Sequence, residues 1–101
     1  MIAQPSYRQI VLDQLRDRLD TIRSFGVQSL ALFGSAARDE AIETSDLDFL
    51  VEFEGVATFD RYMDLKFFLE DLFDKPVDLV TKRSLKPQIS QIVLAEAIDV
   101  T

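Results

Sequence analysis

Two apolar runs and what interrupts them restrict this chain more than any other feature. Leu30-Ala31-Leu32-Phe33 ends directly in the small-residue pair Gly34-Ser35, and Phe49-Leu50-Val51 is entered through Asp46-Leu47-Asp48. Each run has the length and composition of a buried strand. A strand that stops at glycine and serine turns sharply and leaves backbone N–H groups unpaired. A strand that begins Asp-x-Asp carries both carboxylates on one face, because side chains alternate with period two. The fold must therefore bury both runs while keeping a tight bend and a pair of carboxylates accessible.

The remaining composition says which chemistry those groups can serve. The chain has 101 residues, which predicts one domain spanning 1–101 with room for one core. Hydrophobic residues make up 48%, a globular rather than a disordered composition. There is no cysteine, which excludes disulfides and zinc–thiolate sites and predicts a cytoplasmic protein. There is also no histidine, so no imidazole base, Ser-His nucleophile or His-metal site exists, and any catalysis falls to carboxylates and metal ions. The start, Met1-Ile2-Ala3-Gln4-Pro5, does not resemble a signal peptide, and no apolar run approaches a membrane span. A net charge of −7 argues against nucleic acid and favours a basic protein partner.

Periodicity predicts the order helix, strand, helix, strand, helix, strand, helix, an α/β (α+β) arrangement around a small mixed sheet of three to four strands. Helix is expected from Ser6 to Phe25, with Leu12, Leu15, Leu19 and Ile22 inward, Ser6 as N-cap and Gly26 as stop. Val27 to Phe33 reads as a strand buried on both faces. Ala36 to Ile42 reads as a short helix, and Asp46 to Phe53 as a strand with Asp46, Asp48 and Leu50 on one face and Leu47, Phe49, Val51 and Phe53 on the other. Thr58 caps a helix to about Phe73, buried through Phe59, Tyr62, Met63, Leu69 and Phe73. Pro76 to Val80 is a strand, and Pro87 to Ala97 a helix with Ile89, Ile92 and Val93 inward. Ile98 to Thr101 is a candidate edge strand.

Two carboxylates at i and i+2 raise each other's pKa unless a cation intervenes, and Mg²⁺ combines one or two carboxylates with phosphate oxygens. Asp-x-Asp alone is weak evidence, since such pairs occur on solvated strand edges and in loops. Asp78 adds weight: its neighbours Val77, Leu79 and Val80 are apolar, so it calls for a charge partner or a metal, unless it sits on an edge strand turned to solvent. If its strand neighbours that of Asp46 and Asp48, three carboxylates meet. Two metals there suit an in-line phosphoryl displacement, with Asp78 taking the proton of the attacking hydroxyl. Gly34 allows close phosphate approach and Ser35 offers a hydroxyl and an N–H, although the pair also reads as an ordinary capped turn. Arg38 reaches either the triphosphate or the surface. Asp39, Glu40 and Glu43 read as a solvated face.

Gly-Ser-x-Ala-Arg, then Ser45-Asp46-Leu47-Asp48, then Asp78 in a later strand resembles the nucleotidyltransferase signature of the polymerase-β superfamily, most closely its minimal (MNT) branch. Asp39 departs from the glycine often found at that point. The resemblance covers nearly the whole chain and implies the nucleotidyltransferase fold. It further implies an antitoxin that transfers AMP from ATP to a tyrosine of an RNA-cleaving HEPN-domain toxin, the two forming a stable hetero-oligomer. Asp46 and Asp48 would bind both Mg²⁺ ions (or Mn²⁺) and Asp78 one, while Gly34, Ser35, Arg38 and Ser45 would hold the nucleotide. The absence of a second domain for a nucleic-acid or antibiotic acceptor fits a protein acceptor. The alternatives are an antitoxin that only binds its toxin and a small-molecule nucleotidyltransferase.

Overall fold

Residues 6–41 and 46–101 are described by a computed structural model; 1–5 and 42–45, and with them the expectations for Ile42, Glu43 and Ser45, lie outside the described residues. The sheet comprises β1 (Val27–Phe33), β2 (Leu47–Phe53), β3 (Val77–Thr81) and β4 (Ile98–Asp99), in spatial order β3-β2-β1-β4. β1 pairs antiparallel with both β2 and β4, whereas β2 and β3 run parallel. Parallel pairing needs a crossover, and the helix between β2 and β3 supplies it. The sheet is mixed and four-stranded, with the edge position filled by Ile98–Asp99.

Alternation along β2 sorts its residues by face. Leu47, Phe49, Val51 and Phe53 are 0–7% exposed and pack against Val11, Leu15, Ile22, Leu65 and Leu69 from the helices. Phe49, fully buried, stacks on Phe73 with ring centroids 6.0 Å apart. The opposite face carries Asp48, Leu50 and Glu52, and is only partly covered. This one-sidedness corrects the expectation that β1 is buried on both faces: Gln28 is exposed, and Ser29 and Ala31 are half-buried.

The first helical segment is two helices, α1 (Tyr7–Asp17) and α2 (Leu19–Ser24), broken at Arg18, whose backbone leaves the helical region at φ −113°, ψ 16°. Ser6 caps α1 by accepting from the Gln9 N–H at 3.2 Å. The break changes the helical phase, so Leu19 is half-buried while Ile22 remains in the core. The short helix after β1, α3 (Gly34–Ala37), starts earlier than expected, and it stops earlier because Asp39 takes up φ +61°.

α4 (Phe59–Phe73) is capped by Thr58, which accepts from the Arg61 N–H at 3.2 Å. Leu65 and Leu69 form its buried stripe. Phe59 is 77% exposed, contrary to expectation: as the first helical residue it lies outside that stripe. β3 begins at Val77, one residue after Pro76. α5 (Pro87–Glu96) also differs, since Val93 is buried but Ile89 and Ile92 are 49% and 62% exposed. Among the described residues, that side of α5 is left uncovered. Among the described residues no helix is long and apolar enough to cross a membrane.

Candidate active site

The register of the sheet places the carboxylates. Asp48 stands opposite Asp78 across the parallel β2–β3 pair and opposite Phe33 across the antiparallel β1–β2 pair. Phe33, Asp48 and Asp78 thus form one row across three strands, on the face away from the main core. Asp46 precedes β2 by one residue and is exposed. Asp78, on the edge strand β3, is exposed as well, so its apolar neighbours do not by themselves force a charge partner or a metal on it. Val77 and Leu79 are buried because they point the other way along the strand.

Asp48 is half-buried, and its carboxyl pKa is raised. Burial is the main cause, followed by repulsion from Asp78 and then Asp46, while Arg38 pulls in the opposite direction. Asp48 therefore senses both Asp78 and Asp46 through space. Among the described residues, no three acidic side chains are gathered into a ready-made metal cluster. Mutual repulsion keeps such groups apart until a positive charge offsets it.

Directly after Phe33 the chain bends at Gly34, with φ +73°, and enters α3. A β-carbon on Gly34 would overlap the Asp48 carboxylate, chiefly its Oδ2. Glycine is therefore required twice, by the left-handed backbone and by the close approach. The first N–H groups of α3 have no partner within the helix, and the half-buried Ser35 sits among them. The bend and the carboxylate row are thus in van der Waals contact.

Arg38 follows α3 and is gripped by two acids, through Nε to Glu40 at 3.2 Å and Nη1 to Glu96 at 3.0 Å. These hydrogen bonds raise its pKa, so its charge is permanent, and it acts on Asp48 through space. Glu96 was not legible as a partner, since the two residues are 58 apart in the chain. Asp39 answers a question the sequence posed. At the position where glycine is frequent, its φ of +61° is the left-handed conformation glycine favours, and aspartate tolerates it. Its carboxylate lies 4.0 Å from Arg8. Ser45 lies outside the described residues.

The mixed sheet sets a glycine bend against a row of carboxylates, an arrangement compatible with an enzyme that handles nucleotide phosphates. A family model described as nucleotidyltransferase domain matches residues 12–100, and the chain belongs to that family. It is a nucleotidyltransferase, and its substrate is a nucleotide. It is 42% identical over 85 residues to the protein adenylyltransferase MntA of Thermococcus cleftensis, covering 84% of this chain and 80% of the relative. A provisionally named protein adenylyltransferase of Methanocaldococcus jannaschii is 46% identical over 76 residues, 74% of this chain and 81% of its own. A solved structure provisionally described as a minimal nucleotidyltransferase superposes with a TM-score of 0.72 at 43% identity, covering 86% of this chain and 93% of that one. A variant of a MntA toxin–antitoxin complex superposes with a TM-score of 0.60 at 26% identity, covering 95% of this chain and 72% of that one.

Proposed function

We propose that this chain is a single-domain, cytoplasmic antitoxin that transfers AMP from ATP to a tyrosine of a HEPN-domain RNase toxin. The observation that carries the reading is the contact between Gly34 and the Asp48 carboxylate, in register with Asp78. The relatives bearing the adenylyltransferase name support the choice of AMP and of a protein acceptor. The likeness to MntA complexes supports a toxin partner, bound as a hetero-oligomer.

The donor set suits Mg²⁺: hard carboxylate oxygens, among them those of Asp48, whose pKa is raised first by burial and then by its neighbours' charge. Asp46, Asp48 and Asp78 would hold two such ions, which when bound neutralise phosphate charge and activate the attacking and leaving oxygens. The backbone N–H groups at Ser35 and Ala36, with the Ser35 hydroxyl, receive the β- and γ-phosphate oxygens and orient the chain of phosphates in line. Ser45 and Arg38 add to this hold on the nucleotide, Arg38 once it exchanges a carboxylate for phosphate. The tyrosine oxygen bonds to the α-phosphorus as the bond to pyrophosphate breaks, and Asp78 takes the hydroxyl proton. Gly34 keeps the bend low enough for the phosphates to approach Asp48.

Incubating the chain with ATP labelled on the α-phosphate, Mg²⁺ and the toxin encoded beside it should label a toxin tyrosine and release pyrophosphate. Asp48→Ala should reduce the rate by at least about 1,000-fold, in line with losing a charge-stabilising group. Labelling that survives this substitution would remove the assigned mechanism. Protection of cells by Asp46→Asn/Asp48→Asn would instead favour inhibition by binding alone.

A further inference from the structure

The charged and apolar residues of α4 are distributed in a way that its packing does not explain. Phe59, Met63 and Phe67 follow one another at intervals of one helical turn and form a ridge on the side away from Leu65 and Leu69. Phe59 is 77% exposed, Phe67 55% exposed and Met63 half-buried. Single exposed apolar side chains are ordinary, but three in line are the mark of a contact surface. Asp60, Asp64 and Asp71 lie along the same side of the helix, all exposed. Among the described residues none of the three enters an ion pair.

We propose that this ridge is an anchoring surface for a protein partner whose matching face has an apolar groove bordered by lysine or arginine. The choice of a cationic partner follows from charge. A second copy of this chain also carries −7 and would set the aspartates of one ridge against those of the other. A basic surface instead neutralises three unpaired carboxylates while covering two phenylalanines. The inference rests on the reading given above, in which the partner is the toxin: a protein that cleaves RNA needs positive charge to hold its phosphates. α4 packs on the sheet face opposite Asp48, so a partner seated on the ridge leaves the catalytic face open. The surface therefore holds the toxin without presenting the modified tyrosine.

The test is the affinity of the full chain for the HEPN-domain protein encoded beside it, measured in low and high salt. Phe59→Ser/Phe67→Ser should weaken binding by at least about 30-fold with the melting temperature intact, because both side chains lie outside the core. Phe59→Leu/Phe67→Leu should recover most of it. Asp60→Asn/Asp64→Asn/Asp71→Asn should weaken binding by about 5- to 10-fold at low salt and flatten the salt dependence. Asp48→Ala should bind as the wild type does. Wild-type affinity in the serine variant would overturn the ridge while leaving AMP transfer standing. Intact binding with no AMP transfer would do the reverse. Failure of the wild type to bind at all would overturn both. A chain that dimerises alone, and loses the dimer with the serine pair, would assign the ridge to a second copy and overturn the cationic partner.

Discussion

The two faces of β2 have opposite tasks although they belong to one seven-residue strand. One presents Leu47, Phe49, Val51 and Phe53, none more than 7% exposed, and holds the sheet to the helices. The other presents Asp48 beside Asp78, where partial burial and then repulsion raise the pKa of Asp48 and work against folding. Strand alternation lets the first face stabilise the strain of the second within the same backbone. Substitutions on the two faces should therefore change stability with opposite sign and activity with different severity.

The sharpest contrast comes from the core side. Phe49→Ala removes a fully buried ring and its stacking on Phe73, and should cost about 3–5 kcal/mol, read from chemical denaturation. Gly34→Ala, at the seam between the faces, should lower AMP transfer by about 100-fold, because its methyl group displaces either the bend or the Asp48 carboxylate. Steady-state rates on purified, folded protein would show this. An unchanged rate would break the link between bend and carboxylate.

Asp48→Asn should act in the opposite direction on stability, raising the melting temperature by a few degrees near neutral pH while abolishing transfer. A carboxyl whose folded pKa is raised disfavours the folded state once it ionises. Its contribution is therefore intact in acid and lost as pH climbs from the ordinary carboxylate value through the raised one. The gain from Asp48→Asn should vanish below about pH 4, the unperturbed carboxylate range. Melting curves across pH would check both sign and window. The smallest effect is expected at Asp39. Asp39→Gly relieves the left-handed conformation but gives up the 4.0 Å contact with Arg8, for a net gain below about 1 kcal/mol in urea unfolding.

Much of this division was legible from residues alone because period two is a local property. Asp46, Asp48 and Leu50 separate from Leu47, Phe49 and Val51 without knowledge of any other strand. The neighbour of Asp48 was not local: that β3 lies beside β2, with Asp78 opposite Asp48, depends on a crossover through α4. Of the two readings of Asp78, the edge-strand residue turned to solvent describes its exposure, because its apolar sequence neighbours on the strand face the other way. Phe59, Ile89 and Ile92 misled for a related reason, since helical phase depends on which side another element covers. Asp39 shows the reverse case, where an unusual residue in a family pattern marked a backbone conformation.

The central claim is that Asp48 and Asp78 act together, repelling each other until a divalent ion joins them. A double-mutant cycle with Asp48→Asn and Asp78→Asn, melted with and without Mg²⁺, measures this. Without the ion, the second substitution should add less stability than the first. With it, the wild type alone should gain. Additive effects, together with an equal Mg²⁺ shift in all four proteins, would contradict the claim.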